Sequence, residues 1–350
     1  MTVSELDDLL AFRNLREPYF RMSAQGRPLH EKRYLKTLEV QGTVLRGVVD
    51  ADKVAAEFAH GATLLLDSMN HYHSPIRALC DRLREELGAP TEAVGFVTPP
   101  NSEGLTPHQD NTEVFVLQIH GRKSWKVYPQ IRPLVQQGEV FTPSALGEPV
   151  LDVVLEPGDF LYIPWGSPHA AVAGDDVSVH LSVMLRPPTW ATIAQELIKT
   201  ALAELPFAPI PLAAQGLRDP DATAVHAVLD AALQPSRVSE MFQDYVRAVR
   251  GVPARRAGFL QQVGRLGDLE SGTMLRVDQR VPYEIVEAAD VRVVTDGRAY
   301  RYPAEALPAL RLIEASERPF PISALTGVCP PNLVRSIVRN LVVNGVLTIV

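Results

Sequence analysis

Residues 151–185 read LDVVLEPGDFLYIPWGSPHAAVAGDDVSVHLSVML, and the pattern of this stretch indicates the fold class. Short apolar runs alternate here with turns that contain Pro and Gly, which is typical of successive short strands. Similar apolar runs occur upstream at residues 94–100, 113–119 and 124–129. Many short strands in succession predict an all-β barrel or a double-sheet jelly roll.

Two segments of this strand-rich region carry candidate metal ligands. His108 and Asp110 lie two residues apart, so on a strand they point to the same side. His169 follows the turn at residues 164–168 and lies 61 positions after His108 (169 − 108). Two imidazoles and one carboxylate on one side of an ion form the facial triad of non-haem Fe(II) oxygenases. Zinc or manganese in a non-oxidative cupin is the competing interpretation, and the HxD pattern in place of HxH favours iron.

Lys123 is a candidate anchor for a cosubstrate. A 2-oxoacid that chelates a metal at one end needs a cation for the carboxylate at its other end. A buried ammonium forms a strong charge-assisted hydrogen bond to such a carboxylate. Arg122 and Lys126 compete for this role, and a solvated lysine in a hairpin turn is the other interpretation.

His180 is a further candidate, because the run VSVHLSV at residues 177–183 alternates strictly. Valine and leucine occupy one face of this strand, and Ser178, His180 and Ser182 occupy the other. A polar face lines a cavity when it points into a barrel and faces solvent when it points outward. We expect His180 on the cavity wall, beside the metal ligands or the substrate, and not as a fourth ligand.

Other possible sites receive less support from the sequence. His71 and His73 have the spacing of a metal pair, but no nearby acid or cysteine completes a site, which favours a loop or strand role. The sequence contains no GxGxxG, GxxxxGK[ST], GxSxG or CxxC motif that would support another catalytic class.

Composition excludes several classes of protein. The 350 residues suggest about two or three domains. The 34 basic and 41 acidic residues give a net charge of −7, which argues against a general electrostatic nucleic-acid binder. Only 2 cysteines argue against a disulfide scaffold. We expect a cytoplasmic protein, because the first residues carry acids where an export signal carries bases, and no apolar run of about 20 residues is present.

The second half of the chain has helical periodicity. Predicted helices cover residues 190–205, 221–233, 236–250, 304–316 and 331–344, with a linker at 251–275 and a short strand at 346–350. The last helices and the strand have the pattern of a winged-helix domain, and a packing or interaction module is the alternative. Five Arg against three Glu between residues 301 and 350 is too small a basic excess to indicate DNA binding.

Three segments together resemble the JmjC-type cupin oxygenases, and among them the ribosomal oxygenases of the cupin-4 type. These segments are residues 61–83, the run HQDNTEVFVLQIHGRKSW at 108–125 and the run PGDFLYIPWGSPH at 157–169. The resemblance implies an α+β chain in which a double-stranded β-helix (a jelly-roll or cupin barrel) precedes a helical dimerisation region and a C-terminal winged-helix domain. The corresponding boundaries are 1–188, 189–270 and 271–350.

The resemblance also implies the chemistry of the site. It makes His108, Asp110 and His169 the Fe(II) ligands, and Lys123 the partner of the distal carboxylate of 2-oxoglutarate. We expect His180 to lie beside that cosubstrate. The chain would then be an Fe(II)- and 2-oxoglutarate-dependent dioxygenase that uses O₂ to hydroxylate an amino-acid side chain in a protein or peptide. It would form a homodimer, with neither nucleic acid nor a membrane as a partner.

Two departures from the family pattern concern the pocket lining. The family commonly carries an Asn and a Tyr at the positions of Val94 and Phe96, and often an acid at the position of Asn111. A changed lining can mean a changed substrate. A tailoring hydroxylase of a peptide or free amino acid, and a non-catalytic metal-binding regulator, are therefore alternatives. An N-methyl target would turn hydroxylation into demethylation.

Overall fold

The fold is taken from a computed structural model. It describes residues 2–131, 138–203, 222–250, 258–279, 281, 283–288, 290–295 and 298–350. The chain forms two compact units, Met1–Phe242 and Gln243–Val350. Among the described residues, no helix combines the length and the apolar composition needed to cross a membrane.

The first unit is rich in strands, as the sequence predicts. Its strands are β1 Phe20–Ala24, β2 Arg27–Pro28, β3 Leu35–Val40, β4 Thr43–Val49, β5 Thr63–Leu66, β6 Thr91–Thr98, β7 His108–Gln109, β8 Glu113–His120, β9 Lys123–Val127, β10 Glu139–Val140, β11 Leu151–Leu155, β12 Phe160–Ile163, β13 His169–Ala173 and β14 Ser178–Leu185. Its helices are α1 Val3–Phe12, α2 Ala51–Ala59, α3 Ser74–Leu87, α4 Trp190–Ala203 and α5 Ala222–Ala232, and α6 Pro235–Arg250 crosses into the second unit.

Two antiparallel sheets of this unit position the candidate site. The larger sheet has the strand order β12-β8-β14-β6-β5-β1-β2, and the smaller one has the order β10-β7-β13-β9-β11. Strands that follow each other in the chain alternate between the two sheets from β6 to β9, as a double-sheet jelly roll requires. Side chains from both sheets line one shared cavity.

Alternation along β14 separates the protein core from that cavity. Val179, Leu181 and Val183 belong to a buried apolar cluster on the outer face of the larger sheet. His180 and Ser182 point to the other face and line the cavity. Burial of each such aliphatic side chain contributes about 1.5–3 kcal/mol, so this cluster fixes the register that presents the polar face. Further members of the cluster are Leu6, Phe20, Met22, Val54, Leu64, Leu66, Ile76, Ala93 and Val97.

Helix α3 begins at Ser74 and ends at Leu87. Pro75 occupies the first turn, where a missing N–H costs no hydrogen bond. Gly88 ends the helix with a positive φ of 64°. The buried carboxylate of Asp81 accepts hydrogen bonds from Arg77 and Arg84, each at 2.8 Å, which neutralises it within the helix.

The turn between β8 and β9 connects the two sheets and is not a hairpin. Strand β8 pairs with β12 and β14, whereas β9 pairs with β11 and β13. The chain therefore crosses from one sheet to the other at Gly121, and Lys123 begins a strand that faces the cavity. The hairpin interpretation of this turn is wrong, because hairpin strands would pair with each other.

The second unit has its own buried core. Its elements are α7 Phe259–Gly264, β15 Met274–Val277, β16 Glu284–Glu287, β17 Val291–Thr295, β18 Arg298–Tyr302, α8 Leu307–Glu314, β19 Phe320–Pro321, α9 Ile322–Thr326, α10 Pro331–Asn344 and β20 Leu347–Ile349. One sheet has the order β19-β15-β20, and another has the order β16-β17-β18. The helix predicted at 331–344 is present with the same bounds, whereas the helix predicted at 304–316 and the closing strand are slightly shorter, at Leu307–Glu314 and Leu347–Ile349.

The helices predicted between residues 190 and 250 are also present. They correspond to α4, α5 and α6. The predicted ends at Leu205 and Asp221, and residues 251–257 of the predicted linker, lie outside the described residues.

Gly121 provides a test of the crossing between the sheets. Its φ is +61°, and a Cβ built there would lie 2.1 Å from the carbonyl oxygen of Val177. We expect Gly121→Ala to lower the free energy of unfolding by about 2–4 kcal/mol, because it adds a backbone clash to left-handed strain. Denaturant unfolding measures the change. Gly42→Ala is the matched control, since Gly42 has a φ of +76° but nothing within 4 Å of its Cβ position. Equal losses in the two variants would contradict the clash.

Candidate metal centre and ligand cavity

Strand pairing brings the three candidate metal ligands together. His169 on β13 lies directly opposite His108 on β7, and their ring centroids are 4.4 Å apart. Directly opposed residues of antiparallel strands have Cβ atoms about 4.5–5.5 Å apart, which explains how residues 61 positions apart meet (169 − 108). Asp110 follows β7, and its carbonyl oxygen accepts a hydrogen bond from the N–H of Gly166, which precedes β13.

The ligand atoms of this triad can surround one ion. The Oδ2 atom of Asp110 lies 3.9 Å from Nε2 of His108 and 3.7 Å from Nε2 of His169. Two ligand atoms that share one face of a metal, each about 2.1 Å from it, lie about 3.0 Å apart, so these atoms would move about 1 Å closer together when an ion binds. All three ligand atoms lie within 4.8 Å of one another. In the described part of the chain, these three residues form the one group of at least three side chains suited to a metal.

Hydrogen bonds fix both imidazoles in the form that binds a metal. Nδ1 of His108 lies 2.9 Å from the carbonyl oxygen of Thr106, and Nδ1 of His169 lies 3.1 Å from that of Ser167. A carbonyl only accepts, so each Nδ1 carries the proton and each Nε2 presents its lone pair toward Asp110. Burial, and next the nearby His108, lower the pKa of His169 to about 4, which keeps that ring neutral.

The triad opens into a cavity of about 310 Å³. Lys123 and His180 line the same cavity, together with side chains from β1, β5, β6 and β14. Trp125 lies on the face of β9 that Lys123 occupies, and its ring centroid is 6.0 Å from that of His169 and 5.2 Å from that of His180. The indole therefore connects the metal end of the cavity with the lysine end.

Lys123 is a buried cation, with 1% of its surface exposed. Its Nζ donates to Oγ1 of Thr98 at 2.9 Å and lies 3.4 Å from Nδ1 of His180. No carboxylate among the described residues forms an ion pair with it. Burial lowers the pKa of Lys123 to about 7, because the charged form loses its hydration. An anion bound in the cavity would restore the charged form.

His180 is a neutral neighbour of that lysine. Burial, and then the charge of Lys123, hold the pKa of His180 well below its ordinary value. Its Nδ1 faces the ammonium and accepts from it, so the proton of the neutral ring is on Nε2. Phe96 stacks on the ring at a centroid distance of 4.6 Å and an interplanar angle of 4°. The alternation seen in the sequence thus corresponds to a histidine on the cavity wall.

The residues that compete with Lys123 in the sequence lie elsewhere. Arg122 is exposed and pairs with Glu156, and Lys126 is exposed and pairs with Asp152. His71 ends a short 3₁₀ turn, and His73 directly precedes α3. Neither histidine belongs to the metal group.

Several residues of the cavity lining were not predicted from the sequence. Trp125 could have been found, because its position two residues after Lys123 places both on one face of β9. The Nε1–H of Trp125 is buried without a hydrogen-bond partner among the described residues, so it is available to a ligand. Arg21, Leu65 and Asp67 line the cavity from β1 and the end of β5, and no local pattern identified them, although Leu65 and Asp67 lie within the segment 61–83.

Comparisons with known sequences agree with this architecture. Residues 68–193 match the profile of the JmjC domain. The bifunctional lysine-specific demethylase and histidyl-hydroxylase NO66 of Drosophila persimilis is 31% identical over 172 residues, which are 48% of this chain and 24% of that protein. Human ribosomal oxygenase 1 is 42% identical over 129 residues, which are 34% of this chain and 20% of that protein. The chain thus spans about a quarter or less of the length of these relatives.

A solved structure extends the likeness to the whole chain. The X-ray structure of Escherichia coli YcfD has a TM-score of 0.53 at 19% sequence identity and covers 99% of this chain and 90% of its own. A structure of the same protein, described as a ribosomal oxygenase in complex with cobalt and succinic acid, has a TM-score of 0.50 at 18% identity. At these identities the likeness shows the fold, and the predicted cupin barrel with mixed helices and strands is confirmed.

The triad predicts a metal affinity that depends on Asp110, the one ligand of the three that carries a negative charge. We expect Asp110→Asn to weaken Mn(II) binding by more than about tenfold, since the loss of even an outer partner of a metal site has effects of that size. Electron paramagnetic resonance of free Mn(II) measures the affinity. Asp152→Asn is the control, because Asp152 is exposed and pairs with Lys126. Similar Mn(II) affinities in both variants would contradict the site.

Proposed function

With residues 68–193 identified as a JmjC domain, we propose that the chain is an Fe(II)- and 2-oxoglutarate-dependent dioxygenase that hydroxylates an amino-acid side chain in a protein or peptide. One observation carries the proposal. A single cavity contains a His-Asp-His triad at one end and a buried lysine without a carboxylate partner at the other. A ligand with a metal-chelating end and a distal carboxylate satisfies both ends at once.

The triad would hold the iron. His108, Asp110 and His169 would occupy one face of the ion and leave the opposite positions open. Iron with 2-oxoglutarate and O₂ supplies C–H hydroxylation, in which one oxygen atom enters the substrate as C–OH and the other enters succinate as CO₂ is lost. The carbonyls of Thr106 and Ser167 orient the two imidazoles, so the site needs little rearrangement when the metal binds.

The lysine end would hold the distal carboxylate. Lys123 donates a charge-assisted hydrogen bond, and Thr98 keeps its ammonium in place. His180 lies beside the same group and offers the Nε2–H as a second donor. Trp125 contributes a wall between the two ends, and its free indole N–H faces a region where oxygen atoms of the cosubstrate would lie.

The relatives support this class of reaction. The names of two of them describe a histidyl-hydroxylase and a ribosomal oxygenase, and the E. coli protein binds cobalt together with succinic acid, the product of 2-oxoglutarate in this chemistry. A protein or peptide side chain is therefore the substrate class that we propose for this chain.

We also propose a homodimer built on the helical region 189–270, and a winged-helix-like domain at 271–350. Trp190 on α4 is 73% exposed, and Leu233 after α5 is 45% exposed, so this region presents apolar surface for a second copy. Helices α8, α9 and α10 and the sheet β19-β15-β20 of the second unit fit a winged-helix pattern. Neither feature requires a nucleic acid, and the cytoplasmic location stays a prediction from the sequence.

Succinate formation tests the reaction class. Protein supplied with Fe(II), 2-oxoglutarate and O₂ is expected to release succinate, and a fraction of ribosomal proteins or peptides is expected to gain 16 Da by mass spectrometry. His108→Ala should abolish both signals, because it removes a metal ligand, whereas His120→Ala should retain them, because His120 is exposed beside Asp176. Succinate release that survives His108→Ala, or that no condition produces, would leave a non-catalytic metal-binding cupin as the better description.

Lys123 predicts how cosubstrate affinity depends on pH. With a pKa of about 7 in the ligand-free protein, Lys123 is charged below pH 7 and increasingly neutral above it. The charged form binds the carboxylate, so we expect 2-oxoglutarate affinity to fall by up to about tenfold per pH unit between pH 7 and pH 9. Calorimetry with Zn(II) in place of iron measures it. Lys123→Met should bind weakly with no such slope, and Lys126→Met should behave as wild type. A wild-type affinity that does not change with pH would contradict this account.

A further inference from the structure

The walls of the cavity between its two polar ends are apolar. Along β6, the residues that face the cavity are Glu92, Val94 and Phe96, and along β14 their cross-strand partners are Met184, Ser182 and His180. From the lysine end outward, the pairs are therefore Phe96 with His180, Val94 with Ser182 and Glu92 with Met184. Glu92 is exposed, so this last pair lies at the entrance.

The same sheet continues this apolar surface on both sides, and the smaller sheet adds to it from across the cavity. Val114 lies directly across from Met184 on the neighbouring strand, and Leu65 lies directly across from Phe96. Ala171 faces the cavity from β13, opposite Trp125. Ser182 is the one hydroxyl in this middle part of the lining. A group that enters past Glu92 therefore meets aliphatic, thioether and aromatic side chains before it reaches the metal ligands.

Apart from the metal triad and Lys123 at the two polar ends, the charged residues of the lining are paired or lie at the rim. Arg21 donates to both carboxylate oxygens of Asp67, at 2.5 and 2.8 Å, so that carboxylate is neutralised. Asp110 belongs to the metal triad. Glu92 accepts a hydrogen bond from Ser68 at the exposed entrance. A guanidinium or ammonium carried into the middle of the cavity would lose its hydration without gaining an ion pair there.

From this lining we propose that the cavity takes an uncharged, apolar amino-acid side chain, aliphatic, thioether or aromatic, and presents its C–H bonds to the metal end. The inference rests on the proposed function for its chemistry and adds no further redox step to it. The carboxylate of Glu92 at the entrance fits a cation next to that side chain. The α-ammonium of a free amino acid and a basic neighbour in a peptide both supply such a cation.

Matched probes distinguish the side-chain classes and the two sources. The free amino acids Leu, Met, Phe, Arg and His, and five peptides Ac-Gly-Lys-X-Gly-NH₂ that carry the same residues at X, are titrated into protein loaded with Zn(II) and 2-oxoglutarate. Calorimetry reports binding without turnover. We expect the apolar members to bind at least about tenfold more tightly than Arg or His, the discrimination that a matched apolar pocket achieves. In parallel, the Fe(II) protein should add 16 Da to the apolar members. The affinities of the free amino acids are compared with those of the matching peptides. The series that binds more tightly shows whether the side chain comes from a free amino acid or from a peptide.

A negative charge introduced into the lining gives the sharper test. Met184→Glu places a carboxylate among the apolar side chains and should weaken binding of the Leu probe by at least about tenfold while it strengthens binding of the Arg probe. Val154→Glu is the control, because Val154 is 57% exposed on β11 and does not line the cavity. Val94→Thr, nearly isosteric, is the second variant if Met184→Glu does not fold, and it should weaken only the apolar probes.

The outcomes separate this inference from the proposed function. Apolar probes that bind tightly without any succinate release would sustain the inference and overturn the proposed activity. Tighter binding of Arg or His than of Leu, no binding of any probe, or a preference unchanged by Met184→Glu and by Val94→Thr would overturn the inference. In those cases, succinate release in the absence of a probe would still support the proposed function.

Discussion

The structure depends on strands that must satisfy two environments at once. The central strands of the larger sheet, β6 and β14, turn alternate side chains toward a buried apolar core and toward a cavity. In β14 the aliphatic residues that pack in the core determine the register, and a shift by one residue would move His180 out of the cavity and Val179 into it. The free energy of core burial thus holds polar groups in the cavity, where on their own they would be unfavourable.

The buried amine of Lys123 shows how such groups persist. A lysine removed from water without a carboxylate is costly, and the lowered pKa of Lys123 expresses that cost. Thr98 and His180 provide partial compensation through hydrogen bonds. In contrast, Asp81 in α3 is also buried but is fully paired with two arginines. The difference marks Asp81 as structural and Lys123 as a group that awaits an anion, since unsatisfied polar groups concentrate at functional sites.

The cavity combines three kinds of surface in one volume. A metal-binding triad, a cationic end and an apolar wall face one another across the two sheets. In the proposed reaction, the first two would hold a small chelating dianion, and the third would contact the side chain that is oxidised. Because the rim charges are paired or exposed, the electrostatic field inside the cavity comes mainly from the triad and Lys123. This division assigns recognition of the cosubstrate and of the substrate to different walls, which allows the substrate wall to change while the triad stays the same.

Much of this protein could be predicted from its sequence. The strands of the barrel, the triad and the helices near the carboxyl end follow local patterns of period two and 3.6, and such patterns depend on near neighbours in the chain. The resemblance to JmjC oxygenases came from the same short motifs, and the likeness of residues 68–193 to that domain agrees with it. The alternation of polar and apolar residues at 177–183 also predicted that His180 lies on the cavity wall.

The pairing of distant strands could not be predicted from the sequence and became known only from the tertiary structure. Arg21, Leu65 and Asp67 lie well before the metal ligands in the chain. Strand β1 pairs with β5, and β5 pairs with β6, and this pairing brings the three residues to the cavity. The choice of Lys123 over Arg122 and Lys126 followed from the crossing between sheets at Gly121, where the turn joins strands that do not pair. Pairing between remote strands is set by the packing of the whole core, so no local stretch of sequence contains it. Local sequence therefore determines which chemical groups are available to the site. The register between distant strands determines the shape and polarity of the cavity that these groups enclose.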